Sequence, residues 1–176
     1  MSLPLCIDLD GTLIDHDVTL IAYGDYICGR QMRMLQVLYW LIKGGRALVK
    51  KNLADYIDIN PEEMMYHEKF IDFVKEEKAK ERKIYLVTAC NEKYANVMAK
   101  YLGIFDGVFA SNIDTNLRAE AKANKLVKEF GEKKFAYAGN SKDDLKVWEH
   151  AGEIIVVNPS KGVLENLQGK EYTLFE

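Results

Sequence analysis

The sequence is poor in the residues that disulfide, thiolate and imidazole chemistry needs. Its 176 residues include three cysteines and three histidines. Cys6, Cys28 and Cys90 are odd in number and widely spaced, so no disulfide framework is expected. They read as reduced thiols of a cytoplasmic protein. His16, His67 and His150 have no metal-ligand spacing. Positive charge is also in short supply: 24 Lys and Arg face 27 Asp and Glu, a formal net charge of −3. There is no basic stripe, so nucleic acid is not an expected partner. Long apolar runs are missing as well. The longest, "MLQVLYWLI" at residues 34–42, falls far short of the ~20 residues of a membrane span. Residues 1–5 lack the basic segment of a signal peptide, and the first apolar run ends in aspartate. No internal repeat or low-complexity segment stands out.

What is present suits a globular chain: 48% hydrophobic and 29% charged residues are enough for a core and one domain with a subdomain. "LPLCIDL", residues 3–9, reads as a short buried strand. Three helices are expected over residues 18–28, 31–43 and 45–57, punctuated by Gly29 and Gly44-Gly45. A further helix is predicted from Asn60, with Pro61 at its first position and Glu62 and Glu63 at the positive end of its dipole. It runs into the charged stretch "KEEKAKERK", which reads as a solvated face. Strands at 83–87, 107–110, 134–138 and "EIIVV" then alternate with helices at 91–102, 117–130 and 142–151. That alternation predicts an α/β fold with a Rossmann-like parallel sheet and helices on both faces. The sheet-forming core is expected over 1–14 and 65–176, with a helical segment at 15–64 inserted after the first strand.

"CIDLDGTL", residues 6–13, raises the functional question. Asp8 and Asp10 bring like charges together at the end of a buried strand, where repulsion and burial both cost free energy. A divalent cation would offset both. Other polar residues occupy equivalent positions: Thr88 after "IYLV", Ser111 after "GVFA", and Asn140, Asp143 and Asp144 after "FAYAG". The carboxyl ends of parallel strands lie along one edge, where ligands bind. These distant segments are therefore expected to meet in one crevice.

"DLDGTL", Thr88 after an apolar strand, Lys122 and "GNSKDD" together resemble the haloacid dehalogenase superfamily of phosphotransferases, over nearly the whole chain. "NLRAEAK" and "YAGNSKDDLKVW" look most like the phosphatase-like domains that occur alone or precede UbiA-type prenyltransferases. The resemblance implies a Mg2+-dependent phosphatase whose insert at 15–64 is a small helical cap subdomain covering the site. Asp8 would be the nucleophile that becomes an aspartyl phosphate. Asp10 would protonate the leaving oxygen and then activate water. Gly11 would allow the sharp turn, and Thr12 and Ala89 would join Gly11, Thr88 and Lys122 around the phosphate. Mg2+ would be held by Asp8, the Asp10 carbonyl, Asn140 and Asp144. Lys125 competes with Lys122 for the lysine role. Lys122 fits better, near the helix start and four residues before Leu126.

Asn140 departs from the family pattern, which has aspartate there; the change removes a charge from the metal site. The resemblance therefore leaves two alternatives: a weakened binding or regulatory domain, and a phosphotransferase with an acceptor other than water. The expected substrate is a small phosphorylated metabolite or a prenyl-linked phosphate, with a membrane prenyltransferase as partner and a monomer or dimer as the assembly. Within the cap, "MRMLQVLYWLI" reads either as packing between cap helices or as an apolar contact surface that includes Tyr39 and Trp40.

Overall fold

The computed structural model describes residues 2–176. Among them, six parallel strands form one sheet in the order β3-β2-β1-β4-β5-β6. The strands are β1 (Leu5–Ile7), β2 (Ile84–Asn91), β3 (Gly107–Ser111), β4 (Ala136–Gly139), β5 (Glu153–Val157) and β6 (Thr173–Phe175). The helices are α1 (Val18–Ile27), α2 (Gln31–Tyr56), α3 (Glu68–Ala79), α4 (Glu92–Leu102), α5 (Glu120–Phe130), α6 (Leu145–Trp148) and α7 (Val163–Asn166).

The two-residue period of the strands divides the core between the faces of the sheet. Leu5, Ile7, Leu86, Ala138 and Ile155 pack with Phe70 and Val74 of α3 and with Tyr94 and Met98 of α4. Cys6, Val87, Tyr137 and Val156 face the other way, onto Ala123 and Leu126 of α5 and onto Trp148. β1 sits centrally, paired with β2 on one side and β4 on the other. The chain therefore reverses its direction of growth beside β1, and a crevice opens there at the carboxyl ends of the strands.

α1 and α2 leave the sheet after β1. They share their own apolar cluster of Tyr26, Trp40 and Leu53. α2 contains the kink expected at Gly44-Gly45, where Gly45 has a φ of 62°. The aromatic pair of the apolar run is split between two environments. Trp40 is 6% exposed, lies tilted 5.3 Å from Tyr26 and stacks 5.8 Å from Tyr56, whereas Tyr39 is 57% exposed. Trp40→Ala is expected to destabilise the protein by ~3–5 kcal/mol. Tyr39→Ala should change stability by no more than ~0.5 kcal/mol. Denaturant unfolding followed by circular dichroism checks both, and equal losses would contradict the split.

The helix expected from Asn60 is a single 3-10 turn, Pro61–Glu63, although Asn60 does accept from the Glu62 N–H as its cap. The chain is then pulled straight by non-local pairing. Ile14 bridges Tyr66, the Asp15 N–H donates to the Met65 carbonyl, and the His67 N–H donates to the Leu13 carbonyl. α3 can begin only after that, at Glu68. The charged run is also not wholly solvated. Arg82 is buried, donating to Glu77 at 2.8 Å, to Glu153 at 2.5 Å and to the Leu3 carbonyl at 2.7 Å.

Candidate active site

Asp8 lies just beyond β1, where its N–H donates to the Ala138 carbonyl of β4 at 3.0 Å. Its Oδ1 accepts from the Leu9 N–H and from Lys122 Nζ, each at 2.9 Å. Both bonds fall on one oxygen, which leaves Oδ2 turned to a cavity of about 850 Å3 that Asp8 lines. Burial pushes the Asp8 carboxyl up to about 6, with Asp144 adding to the rise and Lys122 opposing it. Asp10 accepts from the Val18 N–H at 2.8 Å and so anchors the first residue of α1. Burial, then Asp17 and Asp8, push its carboxyl up to about 7. Between the aspartates and the cap, Gly11 has a φ of +75°, and a Cβ there would lie 2.1 Å from the Asn140 amide nitrogen. Only glycine satisfies both the turn and that approach.

Lys122 enters from the first turn of α5 and is buried. Besides Asp8 it donates to the Tyr137 hydroxyl at 2.8 Å, and Asp144 Oδ1 is 3.8 Å away. The Tyr137 hydroxyl in turn donates to Asp144 Oδ1 at 2.6 Å. Asp144 Oδ2 accepts from the Asn140 N–H, the Ser141 N–H and Ser141 Oγ at 3.1, 2.9 and 2.8 Å. The buried Asp144 carboxylate thus wraps the loop after β4 around itself, and α6 begins only at Leu145.

The structure brings Asp8, Asp10, Gly11, Ala89, Lys122, Asn140 and Asp144 to the wall of one cavity. Thr12 and Thr88, also expected around the phosphate, are fully buried and do not line that cavity. Thr88 Oγ1 accepts from the Cys90 N–H at 3.0 Å, and the Thr12 hydroxyl has no hydrogen-bond partner among the described residues. Lys125 lies elsewhere, paired with Glu129 and set over the Phe109 ring. Asp143 pairs with Arg118 at 2.5 Å on the cavity rim. Sequence reasoning missed Tyr137, which reads as one more core aromatic in a strand. It also missed Lys50 of α2, which donates to the Ala89 carbonyl at 2.6 Å and ties α2 to the end of β2.

Among the described residues, no group of three or more His, Cys, Asp and Glu is placed to hold a metal ion. Asp8, Asp10 and Asn140 bring hard oxygen donors to the cavity wall, whereas both oxygens of Asp144, also expected at the ion, already accept from Tyr137, Asn140 and Ser141. Such a sparse oxygen set fits a small hard cation that keeps several of its waters, as Mg2+ does.

The raised carboxyls give the metal-free protein a pH signature. In the unfolded chain Asp8 and Asp10 ionise near 4, roughly the model-peptide value. The folded chain keeps their protons up to about 6 and 7. Through that window the folded state binds more protons, so stability falls as pH rises. In chelator, the urea midpoint should drop between acetate and neutral buffers, and the slope should vanish in D8N/D10N. A wild-type midpoint that rises or stays flat would contradict this.

No protein-family model matches the chain. It is 35% identical over 155 residues to the uncharacterized protein y4nM of Sinorhizobium fredii (strain NBRC 101917 / NGR234). That match covers 88% of this chain but only 30% of the relative, so the chain spans under a third of the relative's length. Among solved structures, it is similar to the HAD family hydrolase t0658 of Salmonella enterica serovar Typhi. The TM-score is 0.66 at 15% identity, covering 93% of this chain and 66% of that one. It is also similar to phosphoserine phosphatase as a phospho-aspartyl intermediate analogue. Here the TM-score is 0.65 at 16% identity, covering 99% and 94% of the two chains. The fold is haloacid dehalogenase-like: a six-stranded, all-parallel, Rossmann-like sheet with helices around it.

Proposed function

We propose that the chain is a Mg2+-dependent phosphatase that cleaves a phosphate monoester through an aspartyl phosphate on Asp8. The observation that carries this reading is the contact of 2.9 Å between Asp8 Oδ1 and the buried Lys122 ammonium, with Asp8 Oδ2 left facing the cavity. The resemblance in "DLDGTL" and the likeness to a phospho-aspartyl phosphatase complex support the same chemistry.

In this reading Asp8 Oδ2 attacks phosphorus, and the bond from phosphorus to the ester oxygen breaks. Asp10 keeps its proton to about 7 and delivers it to the departing alkoxide. The resulting Asp10 carboxylate takes a proton from water as that water attacks phosphorus, which releases phosphate and regenerates Asp8. Lys122 balances charge on the phosphoryl oxygens and on Asp8. Tyr137 and Asp144 hold Lys122 in place. Magnesium, when bound, would be held by Asp8, the Asp10 carbonyl and Asn140, and would supply charge neutralisation on the phosphoryl group.

The cap gives the far end of the cavity an apolar wall that includes Leu20, Tyr23, Val37 and Leu53. A substrate with a phosphate at one end and an apolar portion at the other fits that division. A prenyl-linked phosphate, handled beside a membrane prenyltransferase, is the form the sequence likeness suggests. Turnover of a panel of phosphate esters by wild type, with Mg2+ and with chelator, tests the reading. Absence of Mg2+-dependent turnover across the panel would overturn it.

Asn140 favours a second reading, a domain that binds phosphate esters with little turnover, because the metal loses a charged ligand. Asn140→Asp distinguishes the two by titration. The variant is expected to reach half-maximal activity at a Mg2+ concentration lower by roughly tenfold, the value of about one charge-assisted contact. An unchanged requirement would place Asn140 outside the metal's reach.

A further inference from the structure

We infer that the outer face of α2 is a docking surface for an anionic lipid bilayer. Before the kink, α2 has two sides. One carries Trp40 into the cap cluster. The other carries Met32, Leu35, Leu38, Tyr39 and Ile42, exposed by 76, 60, 51, 57 and 76%. Their spacing puts them on one contiguous helical face. Chains that stay monomeric rarely leave an apolar patch of this kind bare.

Charge selects the occupant. Between Tyr26 and Ala54 there are six basic residues and no acidic one, in a chain of net −3, so the rest of the chain carries −9. Arg30, Lys43 and Arg46 are exposed, and no carboxylate among the described residues pairs with them. The Lys43 ammonium lies over the Tyr39 ring, 5.8 Å from its centroid, so a cation borders the apolar face. An apolar helical face rimmed by cations is the pattern that beds into the headgroup boundary of an anionic membrane. A second copy of this chain is a poorer fit, because a two-fold contact through the same patch would set basic rim against basic rim. No helix among the described residues is long and apolar enough to cross a membrane, so α2 lies on the surface. Leu20 and Leu41 are exposed and also line the cavity that holds Asp8. Docking through α2 therefore sets the cavity mouth at the lipid boundary. This inference does not depend on the chemistry assigned to Asp8.

Cosedimentation with vesicles tests it, using phosphatidylcholine alone and an equal mixture of phosphatidylcholine and phosphatidylglycerol. Wild type is expected to bind the mixed vesicles, more weakly in high salt, and to leave the neutral ones largely free. L35Q/Y39Q/I42Q should keep the wild-type circular dichroism spectrum and bind the mixed vesicles roughly a hundredfold less well, from the apolar area it withdraws. R30Q/K43Q should lose about fivefold per charge. If the triple variant does not melt cooperatively, the charge pair decides. The inference is overturned if wild type ignores the mixed vesicles, if it binds both vesicle types equally, or if the variants bind as wild type does. A wild-type dimer that L35Q/Y39Q/I42Q converts to a monomer would also overturn it, because the face would then belong to a second copy.

Discussion

Asp8→Asn is expected to lower kcat toward a phosphate ester by roughly four orders of magnitude, the scale on which an enzyme loses its nucleophile. The substitution is nearly isosteric. Asparagine Oδ1 can still accept from the Leu9 N–H and from Lys122 Nζ, so the loop after β1 should keep its shape. What disappears is the free anionic Oδ2 facing the cavity. Stability should move the other way. Asp8 is buried, and its carboxyl is pushed up to about 6, which means that folding disfavours its charge at neutral pH. Removing that charge should leave the unfolding midpoint at pH 7.5 equal to wild type or above it. A variant that is inactive yet no less stable separates chemistry from scaffolding. Retained turnover would move the nucleophile away from Asp8. Lost turnover with a collapsed melting transition would show only that Asp8 supports the fold.

The alternation from β2 to β5 was legible because apolar strand runs and glycine stops are local signals. Gly103 does close α4 in the left-handed conformation, and Gly131 does end α5. Lys122 was singled out by the family resemblance, which puts the lysine near the start of this helix and four residues before a leucine, and both Lys122 and Leu126 are buried on α5. The features that were missed depend on partners remote in sequence. Residues 64–67 look helical until the chain after β1 pairs with them. Arg82 looks like part of a solvated charge run until Glu153, 71 residues away, receives its guanidinium. β6 has three largely exposed residues, Thr173–Phe175, and no alternation to betray it, although Phe175 packs on Phe70 and Phe73. Tyr137 gave no polar signal because its ring belongs to the core and only its hydroxyl belongs to the site. The apolar run in α2 was legible as apolar, but the division between Trp40 and Tyr39 needed the packing of Tyr26 against one side alone.

Lys122→Met is expected to cost both turnover and stability, with a pH dependence that identifies the cause. Methionine keeps the apolar stem of the side chain and removes the ammonium. Asp8 loses the ammonium 2.9 Å away, Asp144 loses a charge 3.8 Å away, and the Tyr137 hydroxyl loses a donor. Leaving buried carboxylates without their cation should lower the unfolding free energy at pH 7.5 by roughly 3–5 kcal/mol. The loss should shrink as pH falls. Even with Lys122 present, the Asp8 carboxyl takes up its proton at about 6, and without the ammonium it should do so at higher pH still. In the folded variant a neutral Asp8 carries no uncompensated charge, so by pH 5 much of the difference from wild type should be gone. The Lys122 ammonium itself is held above its usual range by Asp8 and Asp144, despite burial acting against it. Its contribution in wild type is therefore complete at neutral pH and is lost only in strong alkali. Activity should drop by at least roughly a hundredfold, the value of one aimed charge-stabilising donor, and it should not recover at low pH. The double variant D8N/K122M supplies the last check. If the two groups act as a pair, removing Asp8 should relieve much of the loss caused by removing Lys122. Losses that add independently, or a Lys122→Met deficit that stays constant from pH 5 to pH 7.5, would mean that the lysine serves as packing and not as the counter-charge of the site.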